Sequence, residues 1–200
     1  MKSRLFISLL VVVCLAPFTN AQAAPLYAFP ISDCKVTYAH SHHDYPATDI
    51  LGKKGCSFVA VTAGVVDEVN RIDRYNFKTN KGADRGGLYV SIIGTDGVRY
   101  YGSHLRKGSI PAEIVPGLSV AAGTTLGLVG ATGSARGTAP HLHFGISWPT
   151  PGQANVWWVR RGSLKPFEYL KAWQAGNDLA PSTKLAKVKY FGTIPPVPKN

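Results

Sequence analysis

Long hydrophobic runs, cysteine and acidic residues are all scarce in this chain, and each shortage excludes something. Beyond an apolar stretch at residues 5–15, no run approaches the ~20 apolar residues that a membrane-spanning helix needs. Only three of the 200 residues are cysteine, and Cys14 lies inside that first stretch. Acidic residues number 11 against 22 Lys and Arg, a formal net charge of +11. There is no repeat of solenoid type, and no recognised nucleic-acid-binding motif accompanies the positive charge.

The apolar stretch has a specific reading. Lys2 and Arg4 precede it, and Ala21-Gln22-Ala23 follows as a small-residue cleavage site, so residues 1–23 are expected to be a signal peptide. The large Val13 before Cys14 disfavours lipoprotein processing. The mature chain then begins near Ala24 or Pro25, in the periplasm or secreted to the cell wall. Cys34 and Cys56 are an even pair in an oxidising compartment and read as a disulfide bond. Zinc ligation by the two is disfavoured there, because histidines are available. Removing Lys2 and Arg4 with the leader takes two charges off the total of +11. An exported protein rarely meets nucleic acid, so an anionic cell envelope is the expected partner. Simple solubility explains the charge equally well.

What is present in quantity is glycine (21) and proline (14), in a chain that is 45% hydrophobic and only 16% charged. Glycine and proline between short apolar runs predict an all-β, turn-rich domain. One domain is expected over residues 24–180, as a monomer, followed by a basic, loosely ordered tail at 181–200. Residues 34–38 read as a strand. Residues 42–50 read as an irregular or edge segment, because Pro46 cannot donate to a sheet. Residues 58–69 are β-rich around a turn at Gly64. Residues 70–85 form a long polar loop, of the kind that walls a cleft. Residues 87–93 and 98–105 pair through an Asp96-Gly97 hairpin turn. Residues 119–130 hold short strands punctuated by glycine, and residues 132–138 form a loop. Phe167, Leu170 and Trp173 share a helical face, with Pro166 suited to the first turn.

The histidines carry the chemistry. In Ala139-Pro140-His141-Leu142-His143-Phe144-Gly145-Ile146, the two histidines of a strand point to one face. His40, His42 and His43 cluster early, and His104 ends a strand-like run. Zinc enzymes bind the ion with three protein groups and leave a fourth position for water. His43 and Asp49 in one segment and His143 in another offer such a set, with His42 a rival to His43. His141 and His104 remain for proton transfer or charge stabilisation.

These motifs resemble the lysostaphin/LytM-type zinc metallopeptidases that cut peptidoglycan peptides. The family's His…Asp pair matches His43…Asp49, its later His-Leu matches Tyr101-Gly102-Ser103-His104-Leu105, and its His-x-His strand matches Pro140-His141-Leu142-His143-Phe144. The approach Gly127-Leu128-Val129-Gly130-Ala131-Thr132-Gly133 also fits, and the resemblance covers residues 38–147. One departure is the wider gap from the first His to Asp49, with Tyr45-Pro46-Ala47 inside it. The resemblance implies that His43, Asp49 and His143 hold Zn²⁺. His141 would be the general base, and His104 would donate to the oxyanion or steady the base. It also implies a mostly β fold: a small antiparallel β-sandwich or β-roll of the duplicated hybrid motif type, with long loops forming a groove and a short C-terminal helix.

The expected function is therefore a zinc metalloendopeptidase acting on peptidoglycan peptide stems or cross-bridges. A catalytically silent peptidoglycan-binding regulator is the rival, which the full ligand set disfavours. Packing is the expected role of Trp157 and Trp158, and the turn accounts for Asp96.

Overall fold

The computed structural model describes residues 26–150 and 156–190. The expected leader and residues 191–200 lie outside the described residues. In chain order the strands are β1 (Thr37–Tyr38), β2 (Ala47–Leu51), β3 (Ser57–Val59), β4 (Gly64–Asn70), β5 (Tyr89–Gly94), β6 (Arg99–Ser103), β7 (Ser119–Val120), β8 (Thr125–Leu128) and β9 (His141–Ser147). The helices are α1 (Trp157–Arg161), α2 (Phe167–Gln174) and α3 (Ser182–Tyr190). All strand pairings are antiparallel. Seven strands form one sheet in the order β1-β2-β9-β6-β5-β4-β7, and β3 pairs with β8 in a second, smaller sheet. The chain adopts the mostly β architecture expected from composition, with the antiparallel pairing that the resemblance implies.

Strand alternation sorts the large sheet into two faces. On the inner face, Ile50, Val90, Ile92, Tyr100, Leu142, Phe144 and Ile146 are buried together with Phe58 and Leu126 from the small sheet. The Phe58 ring lies where a Cβ on Gly102 would stand, so that glycine lets the two sheets approach. The outer face is polar, with Arg99, Tyr101 and Ser103 from β6 and His141 and His143 from β9. It is nevertheless largely covered, because α1 crosses it. The backbone carbonyl of Arg161 in α1 occupies the space a Cβ on Gly145 would need. Under α1, Arg99 donates to Asp67 at 2.6 Å and to Glu68 at 2.7 Å, which satisfies a guanidinium that is only 1% exposed.

Three segments differ from the sequence reading. Residues 47–51 are an interior strand between β1 and β9 rather than an edge segment. Pro46 does not prevent this, because the first paired residue is Ala47 and the missing N–H falls outside the ladder. The stretch from Lys184, expected to be loose, is helical as far as Tyr190. Leu185 is buried there and Val188 packs on the core, so one apolar stripe docks an otherwise basic helix. Helix α1, five residues long, is too short for periodicity to reveal.

The disulfide Cys34–Cys56 is present, with a sequence separation of 22. It closes the segment carrying the early histidines and Asp49. The hairpin turn expected at Asp96-Gly97 forms, with Gly97 at φ 74°. Asp96 does more than turn the chain, since its carboxylate accepts from Tyr27 at 2.8 Å and from Tyr100 at 2.6 Å.

Candidate metal centre

Strand register builds the centre. Asp49 of β2 stands directly opposite His143 of β9, and on the other side of His143 stands Ser103 of β6. Directly opposed residues on one face bring their Cβ atoms within ~5.5 Å. Asp49 Oδ1 accordingly lies 2.9 Å from His143 Nδ1. His143 Nε2 is 3.3 Å from the Tyr45 hydroxyl, which holds the ring with Nδ1 toward the carboxylate.

His42, from the bend before β2, completes the group. Its Nε2 is 3.9 Å from Asp49 Oδ2, and its ring stands edge-on to His143 at a centroid distance of 4.8 Å. One ligand atom from each of His42, Asp49 and His143 lies within 4.8 Å of the others. His43 does not join Asp49 and His143. Its side chain is 78% exposed and its Nδ1 is bound to Asp44 Oδ1 at 2.7 Å, while its ring stacks on His42 at 4.1 Å. Of the two histidines left open by the sequence, His42 is the one brought to Asp49. The two rings stack, but the His42 side chain is 9% exposed on the Asp49 side of the pair, whereas that of His43 is 78% exposed. His40 packs instead on Phe167.

Two imidazoles and a carboxylate are a donor set suited to Zn²⁺. Tetrahedral ligand atoms at ordinary zinc bond lengths stand roughly 3.4 Å apart, and the separations of 2.9 and 3.9 Å lie on either side of that. The backbone N–H of Asp44 donates to His42 Nδ1 at 3.1 Å. An ion at His42 Nε2 requires that contact to loosen as the ring changes tautomer. Electrostatics otherwise suit cation binding. Burial, then the neighbouring His143, pulls His42 down to about 4, so it is neutral at pH 7. Burial alone would raise the Asp49 carboxyl, but the His143 hydrogen bond and the surrounding imidazoles hold it well below the usual carboxylate range.

His141 and His104 flank this group, with ring centroids 4.8 Å apart and His104 6.0 Å from His143. Each is fixed by a backbone carbonyl that can only accept. His141 Nδ1–H donates to Ala139 O at 2.8 Å, and His104 Nδ1–H donates to Thr132 O at 2.8 Å. In the neutral imidazole, Nε2 of each ring is then the acceptor. Burial pulls His104 down to about 3, so it stays neutral. His104 also sits at φ 65°, a left-handed conformation that a side-chain-bearing residue adopts at some cost. Its N–H is held by Gly86 O at 3.0 Å.

A cleft of about 540 Å³ opens over all five residues. The loop at residues 70–85 supplies Asn80 and Arg85 to its wall, and the loop before β9 supplies Ser134 and Ala135. The loops are pinned together, since Gly133 N–H donates to Asp73 at 3.0 Å and Arg136 reaches Asp73 at 3.7 Å and the Tyr75 carbonyl. Tyr45, Trp157 and Arg161 also line the cleft. Sequence reasoning assigned no site role to Tyr45 or Arg161, and for Trp157 it favoured packing over contact with glycan. Nothing in the spacing of a lone Tyr or Arg marks it, and Arg161 reaches the cleft only because α1 crosses β9.

Residues 43–155 match the family described as Peptidase family M23. The curated proteins contain no significant match. Among solved structures, the antimicrobial peptidase lysostaphin from Staphylococcus simulans is similar at 22% identity with a TM-score of 0.52, over 80% of this chain and 59% of that one. The catalytic domain of the same peptidase, crystallised in the absence of phosphate, is similar at 22% identity with a TM-score of 0.49, over 68% of this chain and 92% of that one. At such identities the likeness concerns the fold.

Proposed function

This chain belongs to peptidase family M23, and from that premise we propose that it is a zinc-dependent endopeptidase hydrolysing peptide stems or cross-bridges of bacterial peptidoglycan. One observation carries the reading: ligand atoms of His42, Asp49 and His143 converge within 4.8 Å, beside His141 and His104, in a cleft open to a polymer. The ligands are His42, Asp49 and His143. Zinc held there supplies Lewis acidity, polarising the scissile carbonyl and acidifying water.

The remaining roles follow from hydrogen-bond direction. His141 takes a proton at Nε2, because its Nδ1–H is committed to Ala139 O. His104 presents an acceptor at Nε2 and its burial opposes protonation. It therefore orients the water and steadies the base rather than donating to an oxyanion. Tyr45 fixes the His143 ring. Export by the signal peptide at residues 1–23 would deliver the enzyme to its substrate. The net positive charge favours an anionic wall.

The test is a peptidoglycan zymogram run with the purified protein, with a zinc chelator, and with zinc restored. Clearing that disappears with chelator and returns with zinc is expected. A zinc-loaded protein that binds peptidoglycan without clearing it would overturn the reading in favour of a binding regulator.

A further inference from the structure

The cleft contains a buried positive charge with no counter-charge. Arg161 lines it and is 5% exposed. Its guanidinium donates to Gly82 O at 2.8 Å and Ala83 O at 2.5 Å, and it lies 4.9 Å from the Trp157 ring centroid and 5.9 Å from that of Tyr101. All of these partners are neutral. Among the described residues no carboxylate is within ion-pair distance of Arg161. Arg99, equally buried on the same sheet face, pairs with both Asp67 and Glu68. A buried ion lacking an opposite charge carries a desolvation penalty that no ion pair offsets, so this fold leaves at Arg161 a charge that an incoming anion would neutralise.

Three further observations lie at the same place. The buried hydroxyl of Tyr101 has no hydrogen-bond partner. That hydroxyl and Arg161 Nη2 both crowd the position of a Cβ on Gly86, the guanidinium nitrogen at 3.2 Å, and Gly86 lines the cleft. The hydroxyl fills the space behind Gly86 and, being fully buried, supports Arg161 from behind rather than facing the cleft. Arg85, next to Gly86, adds a second guanidinium to the lining and is only loosely paired, 3.8 Å from Asp44. Finally, Tyr45 interacts with Arg161 and also touches His143 Nε2. One side chain therefore separates this charge from the metal centre. Arg161 lies beyond residue 155, where the family match ends.

Planar guanidinium forks recognise carboxylates through paired, charge-assisted hydrogen bonds. We propose that Arg161 and Arg85 form a carboxylate subsite, with Tyr101 packed behind the Arg161 guanidinium. The peptide cleaved here then carries a free carboxylate beside the scissile bond, as a cross-link through a diamino acid does, and is not an uncharged glycine bridge. The inference rests on the peptidase reading of the cleft.

The experiment uses two synthetic cross-linked peptides that differ only in a free or amidated carboxylate on the diamino acid. Binding is measured by calorimetry on the full zinc-loaded chain carrying His141→Ala, and hydrolysis is measured on the unmodified protein. The free acid is expected to bind at least tenfold more tightly than the amide. Adding Arg161→Met should bring that ratio to within twofold of one. Arg85→Met should reduce it severalfold and serves if Arg161→Met does not fold. A purely structural Arg161 would weaken both peptides equally and leave the ratio intact. A ratio near one before any change at Arg161, or a ratio unmoved by Arg161→Met and Arg85→Met, overturns the subsite. Preferential binding without hydrolysis of either peptide sinks the peptidase reading instead and leaves the subsite standing.

Discussion

Replacing His42 and His43 separately by alanine distinguishes two neighbours that the sequence treats alike. His42 presents Nε2 to Asp49 from a side chain only 9% exposed, so His42→Ala removes one of three ligands and leaves Asp49 facing a single imidazole. Outer partners of a metal site are worth 10–100-fold in affinity, and a direct ligand should exceed that range. A loss of at least 100-fold in zinc affinity is expected, about 2.7 kcal/mol at about 1.4 kcal/mol per tenfold. His43 contributes a ring stacked at 4.1 Å and a partner for Asp44, but its side chain is 78% exposed. His43→Ala should cost less than tenfold, under about 1.4 kcal/mol. Competition with a chromogenic chelator gives both constants, and circular dichroism shows whether each variant is folded. Should His43→Ala lose as much zinc as His42→Ala with the fold intact, the ligand assignment is refuted.

Other outcomes follow from the same geometry. His141→Ala should retain zinc and lose 10²–10⁴-fold in kcat/KM, whereas His143→Ala should lose metal and activity together; equal metal loss in both would reverse the roles of base and ligand. Replacing Cys34 and Cys56 by serine opens a bridge with a separation of 22 and should cost about 3 kcal/mol in the chain-entropy treatment, read from the urea midpoint; an unchanged midpoint would show that the bridge does not constrain the unfolded chain. Gly145→Ala places a methyl where the Arg161 carbonyl stands. Lifting α1 should cost ~1–3 kcal/mol and weaken the cleft wall, measurable as a fall in Tm; no fall would mean that α1 is not held where it lies.

The sheet-forming runs were legible because alternation and turn chemistry act locally. The His-x-His pair needs only the two-residue period of a strand to share a face, and Asp96-Gly97 carries its own turn signal. What stayed hidden depends on contacts between distant segments. Pro46 argued against an interior strand, yet its position one residue before the first pair removed the objection. The preference for His42 over His43 rests on which side chain a bend turns inward, a detail that periodicity does not contain. Arg161 entered the cleft because a five-residue helix lies across Gly145, and no pattern in those residues signals where the helix docks. The basic stretch after Ser182 concealed Leu185 and Val188, whose burial depends on a core assembled from the rest of the chain.

Strand β9 is the last strand in sequence and yet lies between β2 and β6. A nascent chain that stops short of residue 141 leaves a gap in mid-sheet, with two unpaired edges and no second imidazole for Asp49. Synthesis therefore inserts a keystone at the end, and closing the sheet and arming the centre become one event. A chain ending before residue 141 would lack both the strand between β2 and β6 and His143, so the sheet and the candidate metal centre are completed by the same segment.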